Sequence, residues 1–178
     1  MRDTIQGKKS TVVIVSMNAK ITWTADYQDR SNFIFGGSIP INYSPKELWN
    51  LLASPGHLMK VHPLCEKHET EKWDGIGSKD IVIYKDGGKR IRTVLQWNVE
   101  QFIQLQVEDL TGTNKSLVSY TIKKLPEKNN CELLIQIQTS SYKNIPRIYW
   151  KFYARIFLFP QYKKYLQGVL SGFANYKP

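Results

Sequence analysis

The side chains able to act as base, nucleophile or metal ligand are few and scattered. His57, His62 and His68 are the three histidines, and Cys65 and Cys131 the two cysteines, of a 178-residue chain. No C-x-x-C pair and no Cys/His cluster occurs, so neither a metal nor a cofactor is expected. His57 and His62 lie on a short helical stretch with Leu58, Met59 and Val61, where either imidazole offers a general base or a polar anchor. The plainer reading is a helix-end or surface histidine. His62 precedes Pro63, which biases its backbone toward an extended form and suits a helix stop. His68 lies among Glu66, Lys67 and Glu69 and reads as part of a solvated strand face. No base stands near either thiol, so both cysteines read as small core or edge residues. The glycines of Asp74-Gly75-Ile76-Gly77 open no helix and precede no Lys-Ser/Thr, so the motif is a tight hairpin rather than a phosphate loop.

The stronger chemical signal is charge. Net charge is +10, and its placement is uneven. Residues 141–178 hold seven basic side chains (Lys143, Arg147, Lys151, Arg155, Lys163, Lys164, Lys177), no acid, and eleven of the 22 aromatics. Lys143, Arg147, Lys151 and Arg155 recur at every fourth position and therefore share one arc of a helix. The bland account is a solvated back face, but such faces mix signs. Two sharper readings are contact with an anionic membrane surface and contact with a nucleic-acid backbone. Nucleic acid is disfavoured, because it would want exposed aromatics as stacking platforms and the core claims most of them.

The elements that position these groups follow from periodicity. The length suits one hydrophobic core, and 42% hydrophobic residues exclude a disordered chain. No apolar run approaches the roughly 20 residues that span a bilayer, and the basic N-terminus is not followed by a signal-peptide pattern, so a soluble, cytoplasmic protein is expected. Residues 1–16 look poorly tied down, and Met17 is a candidate biological start. Ile21, Trp23, Ala25 and Tyr27 alternate with polar residues, as do Phe33, Phe35, Ile39, Ile41 and Tyr43, giving two strands. Pro40 points to an edge position or a strand end. Ser44-Pro45-Lys46-Glu47 reads as a capped helix start, with Leu48, Leu51 and Leu52 on its apolar face. From 64 to 142 the text becomes a six-strand meander punctuated at 74–77, 86–88, 111–114 and 127–130. Its inward columns are predicted as Ile91, Thr93, Leu95, Trp97, Val99; Ile103, Leu105, Val107; Val118, Tyr120, Ile122; and Leu133, Ile135, Ile137. Residues 146–176 have helical period, kinked at Pro160, with Ile148, Phe152, Ile156 and Phe159 facing inward before it and Tyr162, Tyr165, Leu166, Val169, Leu170 and Phe173 sharing a face after it.

That order, with Ser44-Pro45-Lys46-Glu47-Leu48-Trp49 after a strand, Gly75 and Gly77 after the next, and a long aromatic terminal helix, resembles the SRPBCC superfamily. These are the START, polyketide cyclase and birch-pollen-allergen-like helix-grip proteins. The resemblance covers residues 33–176, leaving 1–32 as an extension with an extra strand before a domain at 33–178. It implies an α+β helix-grip fold: a curved antiparallel sheet wrapped around the C-terminal helix, with two short helices after the first family strand, enclosing an apolar cavity. No catalytic constellation of the family is matched.

A bent sheet and one helix cannot interdigitate along their whole length, so space is expected between them. Leu95, Trp97, Val107, Tyr120, Ile135 and Phe152, with His62 at the mouth, are the candidate lining residues. The inward columns hold Thr93 and Tyr120 but no Asp, Glu, His or Lys, which argues for binding over catalysis. The expected function is carriage of a hydrophobic small molecule (lipid, quinone or polyketide-like), with Lys143, Arg147, Lys151 and Arg155 touching a membrane surface. The alternatives are a cyclase/dehydrase-type enzyme using His57, His62 or a tyrosine hydroxyl, and a nucleic-acid-binding module.

Overall fold

A computed structural model describes residues 12–15, 20–126, 130–140, 142 and 144–177; Met17, Lys143 and most of the turn at 127–130 lie outside them. Nine strands form one antiparallel sheet in the order β1-β2-β3-β9-β8-β7-β6-β5-β4. They are β1 (Val12–Val15), β2 (Lys20–Asp26), β3 (Phe33–Ile41), β4 (Cys65–Lys72), β5 (Lys79–Tyr84), β6 (Lys89–Asn98), β7 (Phe102–Asp109), β8 (Lys115–Lys124) and β9 (Cys131–Thr139). The helices α1 (Pro45–Leu52) and α2 (Leu58–Val61) separate β3 from β4. After β9 comes a helix in three parts: α3 (Arg147–Tyr153), a π turn (Ala154–Leu158) and α4 (Phe159–Asn175). The curved sheet wraps α4, which is the expected helix-grip architecture.

Local chemistry explains where the elements begin. Ser44 Oγ accepts from the Glu47 amide while the Glu47 carboxylate accepts from the Ser44 amide, a full capping box with Pro45 in the first turn. Such a cap is worth about 1 kcal/mol. His62 ends α2 in an extended conformation, as the following proline requires. Pro40 lies in β3 past the end of the β2 ladder, whose last partner is Ser38, so no neighbour on that side needs its missing N–H.

The segment before β3 is part of the sheet. β2 pairs with β3 from Thr22–Ser38 to Asp26–Ile34, and β1 pairs with β2. Cross-strand rows fill the interior: Leu105, Val118, Ile137 and Phe35 make one, and Ile103, Tyr120, Ile135 and Gly37 the next. Leu166, Val169, Leu170 and Phe173 of α4 pack down on them. Two glycines permit this approach. A Cβ at Gly37 would sit 2.8 Å from the Trp23 ring, and one at Gly172 would sit 1.7 Å from the Val61 carbonyl oxygen, so α4 can meet α2 only through hydrogen.

Two sequence expectations need correction. The β6–β7 ladder shifts register between Val94 and Gln96, so before the bulge Arg92 and Val94 face the core, with Arg90 on the same side, rather than Ile91, Thr93 and Leu95. Val99 lies beyond β6 and is exposed. The terminal helix also differs. Pro160 has no N–H and its ring crowds the carbonyl four residues back, and the chain accommodates it by widening into the π turn just before the proline. The inward residues there are Trp150, Ala154 and Leu158, whereas Ile148, Phe152 and Ile156 face solvent. The Trp150 indole N–H donates to the Tyr27 carbonyl at 2.7 Å, and Trp150 meets Phe33 edge to face, fixing this inward choice.

Candidate functional site: a tyrosine-rimmed cleft

The interior divides into a filled end and a hollow end. At the filled end, beneath α1 and α2, the Trp97 ring lies between those of Trp49 and Trp73, with centroids 5.1 and 6.2 Å away. Beside them lies a buried polar cluster that the inferred register concealed. Asp80 and Arg92 are partners across the β5–β6 hairpin. Asp80 Oδ1 accepts from Arg92 Nε at 2.8 Å, its Oδ2 accepts from Arg92 Nη2, and His68 Nε2 lies 2.7 Å from Oδ2. Arg92 also stacks on Trp73 at 5.1 Å. The His68 side chain is fully buried rather than solvated, and the ring of buried His57 lies 5.4 Å away.

Burial would raise the Asp80 carboxyl, but its hydrogen bonds to His68 and Arg92 outweigh that and hold it below its ordinary value. Burial, then the Arg92 and His68 charges, push His57 well below the usual imidazole range. Asp80, His57 and His68 do not border the hollow end, so these titratable groups are sealed away from any guest.

The hollow end is a cleft of about 660 Å³ between α4 and the ends of β5 to β9. That lies in the range of about 300–1,000 Å³ usual for small-molecule sites. Its apolar wall is Leu64, Val107, Val118 and Ile137; Tyr84, Tyr142, Tyr162 and Tyr165 supply hydroxyls; Lys85, Asp86 and Arg90 stand at the rim. Register puts Val107 and Thr139 on either side of Ser116, so small polar residues follow the apolar row toward the opening.

One hydroxyl is oriented by a defined relay. The Leu64 amide donates to His62 Nδ1 at 3.2 Å, so in neutral His62 the proton sits on Nε2, which donates to the Tyr165 hydroxyl oxygen at 2.9 Å. Burial, then Arg92, lowers His62 to about 4, so it is neutral at pH 7. Burial raises Tyr165 well above an ordinary phenol, and a hydrogen bond with Tyr84 raises it further, so it keeps its proton. Tyr142 and Tyr162 share a hydrogen bond at 3.0 Å, and burial raises both. The cleft thus offers neutral hydrogen-bond donors against an apolar wall, with a cationic side chain at its edge.

The predicted lining residues are distributed across this plan. Val107 lines the cleft, and His62 does not line it but hydrogen-bonds Tyr165, which does. Tyr120 and Ile135 are buried in the packed row under Phe173, and Trp97 belongs to the tryptophan group. Leu95 is exposed at the β6 bulge, and Phe152, 65% exposed, faces solvent on α3. Arg147, Lys151 and Arg155 are all exposed on α3 and the π turn. The tyrosines of the cleft were not singled out from sequence. Tyr162 and Tyr165 fell in an apolar helical stripe, where an aromatic reads as filler. Among the described residues no group of three or more His, Cys, Asp or Glu side chains could hold a metal.

The sequence matches no protein-family model and no curated protein. Solved structures do match. A major latex-like protein from Panax ginseng superposes with a TM-score of 0.60 at 15% identity, over 83% of this chain and 99% of the other. A START superfamily protein from Mycobacterium smegmatis gives 0.58 at 12% identity, over 79% and 96%. A norcoclaurine synthase from Thalictrum, solved with a transition-state analogue, gives 0.54 at 13% identity, over 80% and 94%. At such identities the likeness is one of fold: the chain has the same helix-grip fold as these proteins. No helix among the described residues is long and apolar enough to cross a membrane.

Proposed function

We propose that the protein binds a hydrophobic small molecule bearing one polar or anionic group in the tyrosine-rimmed cleft, and that it acts as a carrier rather than as an acid–base catalyst. The observation that carries this reading is the division of labour just described. Space, apolar wall and neutral hydroxyl donors coincide at one end, while Asp80, His57 and His68 are locked into packing at the other. A guest would lay its chain along Val107, Val118 and Ile137 and present its polar group to Tyr165 and Arg90. Fatty acids and related lipids have that shape. The free, buried cysteines Cys65 and Cys131 suit a reducing cytoplasm.

The test is uptake. Native mass spectrometry of freshly purified protein should show a co-purified apolar mass, and a dansyl-labelled fatty acid should gain fluorescence on titration. A clean apo mass with no uptake of fatty acid or quinone probes would overturn the reading.

A further inference from the structure

The segment Arg147–Leu158 presents to solvent what a soluble helix normally hides. Ile148 is 81% exposed, Phe152 65%, Tyr149 63%, Ile156 50% and Phe157 49%. The inward stripe is one residue wide, consisting of Trp150, Ala154 and Leu158 at every fourth position. At about 100° per residue, Ile148, Phe152, Ile156 and Tyr149 occupy one outward arc, and Arg147, Lys151 and Arg155 the arc beside it. A contiguous apolar face of this kind marks an interaction surface.

We propose that this face docks the protein on a bilayer containing anionic phospholipid, the apolar side chains entering the headgroup boundary while the three cations meet lipid phosphates and carboxylates. An interfacial helix has this composition: aromatic and aliphatic residues on one arc, Lys and Arg on the next, and no acid. Charge decides against a second copy of the chain, since each copy would bring Arg147, Lys151 and Arg155 with no acid in residues 141–178 to answer them. Tyr149 and Phe152 are exposed beside the cations, although the sequence pattern places most such aromatics in the core. Ile148 and Ile156 share their arc, however, and aliphatic side chains give no stacking platform and gain nothing beside a phosphate backbone, which favours lipid over nucleic acid. The face also borders the cleft. Tyr142, which lines it, stacks on Trp150 with ring centroids 5.7 Å apart, and Gln161 and Tyr162 line it one turn beyond the π segment.

The inference stands on the exposed face and not on carriage, so the two fail separately. The full chain should sediment with mixed phosphatidylcholine/phosphatidylserine vesicles and far less with phosphatidylcholine alone. Replacing Arg147, Lys151 and Arg155 together by glutamine should weaken vesicle binding by about a hundredfold. Raising salt to about 1 M, where the screening length is about 3 Å, should weaken wild-type binding in the same direction. Ile148→Ser/Phe152→Ser/Ile156→Ser should also abolish sedimentation, while leaving the melting temperature and fatty-acid uptake unchanged because these side chains touch neither core nor cleft. Wild-type protein that stays in the supernatant with mixed vesicles would overturn the proposal, as would a serine variant that sediments like wild type. So would a wild-type dimer that the serine substitutions dissolve, or duplex DNA retention that they leave intact.

Discussion

The two ends of the space between sheet and C-terminal helix are built from the same strands yet do opposite things. On β5 and β6, Asp80 and Arg92 close one end with a buried ion pair under Trp73, whereas Tyr84 and Arg90, a few residues away on the same strands, border the open cleft. At the closed end Asp80, Arg92 and His68 are bonded to one another and His57 is packed beside them, away from the cleft lining. At the open end the hydroxyls of Tyr142, Tyr162 and Tyr165 keep their protons and border free volume. Function in this fold is therefore read from where side chains stop filling space, not from where titratable residues are most numerous.

The comparison predicts a steep contrast in tolerance. Asp80→Ala should destabilise the fold by about 3–5 kcal/mol, because Arg92 would be left buried without its counter-charge. Urea denaturation would show this, and a loss under about 1 kcal/mol would mean that the closed end is hydrated.

Next in size is a pH effect. His62 has a folded-state value of about 4 against an ordinary 6.5, so on acidification the unfolded chain takes up the proton first. Its contribution is complete above about pH 6.5 and is lost as pH falls toward 4, on the order of 3 kcal/mol in all. His57 shifts in the same direction and adds to the loss. Asp80, lowered instead, withdraws its contribution only at more acidic pH. Unfolding midpoints at about pH 7 and about pH 5 should differ for wild type and differ by less for His62→Gln, in which only the His57 contribution remains.

A matched enlargement sharpens the contrast further. Val94→Phe, in the packed end, should cost about 1–3 kcal/mol. Val118→Phe, which has the cleft to grow into, should cost less than about 1 kcal/mol but block fatty-acid uptake. Equal costs would show that the two ends are packed alike. The smallest effect is Arg90→Gln at the rim: stability within about 0.5 kcal/mol, with binding weakened for a fatty acid and unchanged for the corresponding alcohol.

Much of this architecture was legible in the residues. The capping box at Ser44, the turn glycines of the meander and the alternation of β7, β8 and β9 each followed from local chemistry, and element order gave the fold. The β6 register was not legible, because a bulge at Leu95 inverts the alternation and a pattern reader carries the wrong face backward from Trp97. One signal was present: Asp80 and Arg92 stand symmetrically about Asp86 in the 86–88 turn, so a hairpin there pairs them. Its burial could not be seen until Trp73 and α1 were placed over it. On the terminal helix, a 3.6-residue period was assumed through Pro160. The π turn breaks that period, which is why Ile148 and Phe152 were assigned to the core and are found in solvent.

The most direct test of the hollow end is methyl and aromatic NMR on the labelled protein during titration with a long-chain fatty acid. The account predicts shifts at Val107, Val118, Ile137 and Tyr165, with Val94, Trp73 and Trp97 unmoved. Shifts centred on the tryptophan group, or none at saturating ligand, would contradict it.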